Sequence, residues 1–574
     1  MMLAPYAPAV TAPVLLEAPA AGPPPADDRL RERLRERLGL GGWPATRADR
    51  VWGWLAPLAV FVIALWDRAS GVTRVRCTVK PDGMFDGCFD ETYYANDAHA
   101  MLTHGYEVAP KMTTGEYVVH PPLGKWMIAL GEQVYGFNEL GWRISAVVCG
   151  SLTILVFARL VRRMTRSTLL GTLGGLLLAL DGLEYVQSRI GILDIFLLFW
   201  IVCALACLVA DRDHARGRLA ARVLDPTRHR AGSWAGPRLG LRPWRLAAGV
   251  SLGAACAVKW SGAPLLVALV LLSFGWDVGA RRTAGVRGPF LATLWRDTLP
   301  QAGAMLLLPL VVYTASWTGW FATDGGYKRH ERGSGVVNTV DSWLQYHRQA
   351  LCFHEGLADT PQRKSPLLCD GVPAGCDTAP MTDKNCWSDP SSHAYESKPF
   401  GWLTLSRPVA YAYNGIKSGE SLDGQKCPAT GKDCSRAVLA IDTPALWWAG
   451  LLCLPVAVGM WAARRDWRAA TAVVGALFAF VPWLTNTQRV MFQFYALPML
   501  PFVVLALVLV LGKVLGPARA SENRRLVGAI TVGLFTLLVL ADFAWLHPIL
   551  SGQVITYQAW HARVIGVLGF PGWL

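Results

Sequence analysis

The chain has 574 residues, 53% hydrophobic and only 17% charged, with a mean hydropathy of +0.31. This excludes an ordinary soluble protein, because the apolar residues come in blocks of about 20, the length of a helix across a bilayer core. The net charge of +14 does not point to nucleic acid, because the basic residues cluster in short segments between apolar blocks, as positive-inside topology requires.

Residues 1 to about 28 are rich in Ala and Pro and are expected to be disordered. They lack the basic start, apolar run and small-residue cleavage site of a signal peptide. Residues 29–37 (RLRERLRER) read as a short basic amphipathic helix for the inner leaflet, although a solvated charged helix fits equally well. The first span is 51–66, and the arginines before it assign residues 1–50 to the cytoplasm. The loop 67–139 is then external, and the amphipathic segment after His120 is expected to lie flat at the interface.

Span 140–161 returns to a cluster of Arg159, Arg162, Arg163 and Arg166. Spans 169–184 and 190–210 form a hairpin with an external turn at 180–189, followed by an Arg-rich cytoplasmic loop, 211–245. Spans 246–258 and 263–278 turn at Lys259-Trp260-Ser261-Gly262, and 299–317 leads back out. Residues 318–443 then form the one large polar region, expected to be a loop-rich, disulfide-stapled external domain. Spans 445–462, 469–484, 490–511 and 526–545 complete about eleven, with an external tail at 546–574. The expected architecture is an all-α polytopic membrane protein. Its tryptophans support this, since Trp52, Trp126, Trp142, Trp317, Trp447 and Trp448 stand at block ends, as an interfacial belt predicts.

Of thirteen cysteines, Cys149, Cys203, Cys207, Cys256 and Cys453 fall inside apolar blocks. The other eight, Cys77, Cys88, Cys352, Cys369, Cys376, Cys386, Cys427 and Cys434, fall in the two external polar loops. An even set on one side predicts disulfides in an oxidising compartment, with a pairing that sequence does not reveal.

Topological parity gathers Asp90, Glu91, His120, Lys125, Arg143, Gln187, Arg189, Lys259 and Arg489 on the external face. Asp194 begins the helix that returns from it. Taken singly, an adjacent acid pair is usually a solvated loop, and an interfacial Arg or Lys usually snorkels. Asp181 and Asp194 can equally cap helices or pair with Arg189. Taken together, an acid pair and several cations at one membrane face suit transfer of a group from a lipid phosphate. Arg and Lys hold the phosphate as it leaves, so a single carboxylate suffices as base. Asp90 is the expected base, with Glu91 orienting a neighbouring cation such as Arg143. No Cys/His zinc spacing, phosphate-binding glycine loop or dinucleotide fingerprint is present. No resident cofactor is assigned; Glu91 with His120 is the pair that a divalent cation would use. No cytoplasmic segment is long enough for a nucleotide-sugar domain, so the donor is expected to be membrane-bound.

At these residues the chain resembles the protein O-mannosyltransferases, multi-spanning glycosyltransferases of the GT-C class. The stretches that carry the resemblance are Phe89-Asp90-Glu91, His120-Pro121-Pro122-Leu123-Gly124-Lys125, Leu180-Asp181-Gly182 through Gln187-Ser188-Arg189-Ile190 to Leu193-Asp194, and Val258-Lys259-Trp260-Ser261-Gly262. Later stretches are similar too: Tyr346-His347 to His354-Glu355-Gly356-Leu357, Ser397-Lys398-Pro399, and Arg489 to Tyr495-Ala496-Leu497-Pro498. The resemblance implies a GT-C fold and inverting transfer of mannose from polyprenyl-phosphate mannose to Ser or Thr hydroxyls of exported proteins. It implies Asp90 at the acceptor and Arg143 as the family's arginine in the following span. The remaining expected site residues are His120, Lys125, Gln187, Arg189, Asp194, Lys259 and Arg489, for substrate binding. Residues 318–443 are too short for the β-trefoil of eukaryotic members, so the chain resembles a bacterial form in a plasma membrane, with membrane lipids and an export channel as expected partners. The alternatives are another GT-C transferase with a different sugar or acceptor, a transporter, and a non-catalytic membrane scaffold. The transporter reading lacks internal repeats and mid-membrane charges. A scaffold leaves the acid–cation set unexplained.

Overall fold

The computed structural model describes residues 26–40, 46–76, 88–108, 114–223, 234–373, 376, 379–517 and 519–565. Most of the N-terminal tail, Cys77 and the end of the C-terminal tail lie outside the described residues. All eleven apolar blocks are helical. Eight helices among the described residues are long and apolar enough to cross a bilayer: Arg47–Ala69, Glu139–Thr165, Asp194–Val223, Gly262–Thr283, Pro444–Arg464, Trp467–Thr485, Gln493–Leu515 and Glu522–Leu550. The pair Pro289–Gln301 and Gly303–Ser316, bent by 49°, is long and apolar enough to make a ninth when taken as one span. The other two blocks, Thr168–Ala179 and Pro243–Val258, have 12 and 16 residues. At ~1.5 Å per residue they are shorter than a ~30 Å hydrocarbon core.

Burial orders the bundle. Within an apolar 18-residue stretch of each helix, 89% of residues are buried in Gln493–Leu515 and 72% in Asp194–Val223, against only 17% in Arg47–Ala69 and 22% in Glu522–Leu550. The first pair is therefore the centre and the second pair presents apolar side chains to lipid, among them Leu534 and Leu537. Small residues bring the outer helices in. A side chain at Gly475 would meet the Phe502 ring at 2.0 Å, and one at Gly450 would meet Val503 at 2.3 Å.

Helix ends follow local chemistry. Thr46 accepts the Asp49 N–H at 3.0 Å, and Asn138 accepts those of Leu140 and Gly141 at 3.0 and 3.1 Å. The turn at 180–189 is not an open loop. Asp181 caps a short, fully buried helix, Gly182–Gln187, by accepting the Glu184 N–H at 3.0 Å. Helix Leu123–Tyr135 leaves Leu130 and Val134 exposed, the apolar face expected at an interface.

The region 318–443 contains more order than its composition suggests. It holds a long helix, Val336–Gly356, and three disulfides, Cys352–Cys369, Cys376–Cys386 and Cys427–Cys434; Cys88 is disulfide-bonded as well. It also supplies two strands, Val409–Ile416 and Cys434–Ala440, of a three-stranded antiparallel sheet. The third strand, Val554–Thr556, comes from beyond the last membrane helix and sets Thr556 opposite Cys434. The helical class stands, with this sheet added at one end. The arginines of 211–245 also differ from a plain topology signal. Arg242 and Arg245 are buried and share Asp211 and Asp277 at 2.6–3.0 Å.

Candidate active site

The Asp-Glu pair sits where the chain enters helix Glu91–His104, and its two carboxylates have separate surroundings. Glu91 is completely buried. It accepts from Arg143 Nε at 2.8 Å, Arg143 Nη2 at 2.6 Å and the Gly191 N–H at 2.6 Å. Arg143 also donates to the carbonyls of Val72 and Val75 at 2.8 and 2.9 Å, and reaches Cys88 Sγ at 3.8 Å. The pair thus ties the start of the acidic helix to span Glu139–Thr165 and to the loop behind it.

Asp90 is half-buried, and its carboxylate accepts no hydrogen bond from the described residues. Burial pushes its carboxyl up to about 6; Lys259 pulls it down and Asp194 pushes it further up. Its position is fixed from behind by Phe89, whose φ of 59° is uncommon for a bulky side chain. The Phe89 ring packs against His393, Tyr411 and Phe492 with centroids 5.4, 5.5 and 5.2 Å apart. That packing holds the strained backbone and so aims Asp90. Tyr411 reaches this cluster from the bulge between Ala410 and Ala412, where strand register shifts. It also accepts from Gln187 Nε2 at 2.6 Å.

A cleft of about 200 Å³ is lined by His120, Lys259, Trp260, His354, Arg489 and Tyr495, and Asp90 lies behind this lining, within the field of Lys259. Lys259 Nζ donates to both Asp194 oxygens at 3.0 and 2.9 Å and lies 4.9 Å from the Tyr495 ring centre. Arg489 is different: it has no carboxylate partner among the described residues. Its Nη2 donates to His354 Nδ1 at 3.0 Å, and its Nε is buried without a partner. Burial, then the Arg489 charge, pushes His354 down to about 4, so the ring is neutral and able to accept that bond. His120 is likewise held well below its usual value by burial and by Lys259. Phe478, Ala479 and Pro482 complete the cleft on its membrane side, beside the exposed Leu477 and Val481.

The structure therefore brings together Asp90, His120, Asp194, Lys259 and Arg489. Gln187 joins them through Tyr411, and the other expected residues are held elsewhere. Arg189 donates to the carbonyls of Asp67, Arg68, Ser70 and Gly71 at 2.7–3.0 Å, capping the end of the first span. Lys125 is buried between Glu107 and Asp97, at 3.6 Å from the latter. Arg143 and Glu91 are committed to each other, so Glu91 and His120 do not form a cation-binding pair. Sequence reasoning left out Trp260, His354 and Tyr495 as site residues, although all three fall in the family-like stretches.

Comparison with known proteins gives the family. The family described as dolichyl-phosphate-mannose-protein mannosyltransferase matches residues 69–318, and the C-terminal four TMM region of protein-O-mannosyltransferase matches 378–565. The polyprenol-phosphate-mannose–protein mannosyltransferase of Mycolicibacterium smegmatis (strain MKD8) is 35% identical over 534 residues, covering 92% of this chain and 94% of the relative. That of Mycobacterium tuberculosis (strain H37Rv) is 36% identical over 535 residues, covering 92% of both. The chain belongs to the protein O-mannosyltransferase family. This mannosyltransferase also shares its fold with the Saccharomyces cerevisiae Pmt1-Pmt2 complex bound to the sugar donor. The TM-score is 0.60 at 14% identity, over 90% of this chain and 92% of that one. The polytopic GT-C architecture expected from sequence is the one observed.

Proposed function

We propose that the protein transfers mannose from a polyprenyl-phosphate mannose to Ser or Thr hydroxyls of exported polypeptides at the outer face of the plasma membrane. The observation that carries the site assignment is one of elimination. Around the cleft, Glu91 is committed to Arg143, Glu107 and Asp97 to Lys125, and Asp194 to Lys259, leaving the Asp90 carboxylate for substrate. Of the two cations that line the cleft, Lys259 is paired with Asp194, whereas Arg489 has no carboxylate partner among the described residues, which suits it to the donor phosphate. Lys259 with Asp194 orients the groups between them.

In the proposed step the acceptor O–H bond breaks, its proton passes to Asp90, and the oxygen bonds to the anomeric carbon. The carbon–phosphate-oxygen bond breaks on the opposite side, giving inversion, and its electron pair leaves with polyprenyl phosphate beside Arg489. Trp260, Trp483 and Tyr495 wall the sugar site, and the polyprenyl chain leaves past Phe478 and Pro482. The disulfide at Cys427–Cys434 supports an external position for the sheet, and hence for Val554–Thr556, with a cytoplasmic N-terminus. An extended acceptor arriving from the export channel suits this face, as does the surrounding membrane lipid.

The test is transfer of labelled mannose from the polyprenyl donor to a Ser/Thr peptide in membranes. Asp90→Asn should lose product at normal protein abundance, and full activity in that variant would sink the assignment. Other polyprenyl-phosphate sugars offered in parallel should transfer poorly.

A further inference from the structure

A second cavity, of about 690 Å³, lies between helices Arg47–Ala69, Glu139–Thr165 and Asp194–Val223. It is at the opposite end of the bundle from the acid pair. Arg143 and Arg159 sit on the same helix sixteen residues apart, roughly 24 Å at the helical rise. Nothing in the transfer reaction reaches that far.

The lining has two parts. Leu155, Val156 and Ala206 make an apolar floor toward the bilayer interior. Further along the same helix Arg159, Arg162, Arg163 and Arg166 line it, together with Asp213. The neighbouring arginine Arg162 is matched by Asp49 at 2.9 Å, and Arg163 by Asp213 at 2.9 Å. Arg159 has no carboxylate partner among the described residues. Its guanidinium stacks 3.7 Å over the Trp54 ring and donates to the Gly53 carbonyl. It is half-buried, so water screens it incompletely, and an uncompensated cation at this depth is unfavourable without an anion.

An apolar floor below an unmatched guanidinium fits one kind of molecule, in which a hydrocarbon chain carries a negative head at the depth of the membrane surface. A soluble anion would leave the floor empty, and a zwitterionic lipid would bring its own cation beside its phosphate and so leave the Arg159 charge without a net counter-charge. We propose that this cavity holds an anionic phospholipid of the inner leaflet, its phosphate on Arg159 and an acyl chain against Leu155, Val156 and Ala206. The lipid ties the first span, which is otherwise little buried, to the central helices.

The test uses full-length protein purified in detergent and titrated with dioleoylphosphatidylglycerol or dioleoylphosphatidylcholine. Retained lipid is counted by native mass spectrometry, and the thermal midpoint is followed alongside. Wild type should retain one phosphatidylglycerol and gain thermal stability from it but not from phosphatidylcholine. Arg159→Gln should bind it about fivefold more weakly, as the loss of one cation implies, and Arg159→Lys should restore part of the affinity. Ala206→Phe, which fills the floor and leaves every arginine in place, should also displace the lipid, so the idea survives a poorly folding Arg159 variant. Asp90→Asn should bind phosphatidylglycerol as wild type does. Equal retention by wild type and Arg159→Gln, retention unaffected by Ala206→Phe, or equal stabilisation by phosphatidylcholine would each overturn the proposal. So would displacement of phosphatidylglycerol by polyprenyl-phosphate mannose at equal concentration.

Discussion

Replacing Glu91 by Gln separates a supporting role from a chemical one. The carboxylate takes three donors: Arg143 Nε and the Gly191 N–H on one oxygen, and Arg143 Nη2 on the other. An amide can keep the first oxygen, but its NH2 then faces Nη2, donor against donor. The Arg143 charge is left buried with no counter-charge. Breaking a buried pair from one side costs ~3–5 kcal/mol. Arg143 keeps the Val72 and Val75 carbonyls at 2.8 and 2.9 Å, so the low end, about 3 kcal/mol, is expected. Adding Arg143→Met removes the stranded charge, and the double variant should lose less stability than the two single losses combined, by about 1–3 kcal/mol of coupling. The assay is unfolding of the purified full-length protein in detergent, with transfer measured per folded molecule. Because both Glu91 oxygens are already taken by Arg143 and the Gly191 N–H, the surviving folded fraction of Glu91→Gln should transfer mannose within about tenfold of wild type, a loss smaller than general-base removal causes. A variant of unchanged stability with abolished transfer would refute the reasoning and make Glu91 a substrate contact.

Asp90 should behave in the opposite way. Its carboxyl is raised from 3.8 to about 6, so its ionised form is disfavoured in the folded state. Stability is therefore lost as pH rises from about 4 through 6, and Asp90→Asn should unfold at a higher temperature than wild type at pH 8 while losing ~10²–10⁴-fold in rate. The wild-type rate should fall as pH drops below about 6, because the base is then protonated; a flat profile between pH 5 and 8 would remove Asp90 from that role. Arg489→Ala should lower kcat/KM for the donor by ~10²-fold or more, with Arg489→Lys intermediate; unchanged donor kinetics would detach it from the phosphate. Replacing Cys352 and Cys369 by Ser opens a 17-residue loop at the end of the helix that carries His354, and about 3 kcal/mol of stability should go with it by denaturation of the purified protein. Chelator should leave transfer unchanged, because both Glu91 oxygens are already occupied by N–H donors and His120 lies among cations; activity restored only by added divalent ion would contradict that.

The bundle was legible because block length and the spacing of arginines are properties of contiguous sequence. All eleven apolar blocks are helical, and the two short ones could be told from full spans only by counting residues between Ser167 and Leu180 or between Arg242 and Lys259. The sheet was not legible, since Cys434–Ala440 finds its outer partner 118 residues later in a three-residue strand that carries no pattern of its own. The site was partly legible for a related reason. Charge type and membrane side can be read along the chain, so Asp90, Lys259 and Arg489 emerge together. Which cation is already neutralised cannot be read, because Glu91 and Arg143 are 52 residues apart and Asp194 and Lys259 are 65. Arg189 illustrates the difference: in sequence it is one more cation at the right face, whereas in the fold it is consumed by four carbonyls.

That allocation of charge bears directly on the proposed chemistry. Before transfer the reacting groups carry two negative charges, one on Asp90 and one on the donor phosphodiester. Afterwards Asp90 is neutral and both charges reside on the released phosphate, so one unit of negative charge has moved across the cleft. An enzyme gains rate when that movement runs from a place where charge is poorly solvated to one where a fixed cation already waits. Asp90 has no hydrogen bond from the described residues and a carboxyl raised to about 6, which makes it the unfavourable end. Arg489, with a neutral histidine at 3.0 Å and no carboxylate partner among the described residues, is the favourable end. Had Arg489 been paired as Lys259 is with Asp194, its field would already be cancelled and the leaving phosphate would gain little from it. Introducing such a carboxylate beside it, as His354→Asp, should therefore slow transfer more than His354→Asn, although both side chains can accept the same N–H. Equal rates for the two would show that the charge on Arg489 is not what stabilises the leaving group.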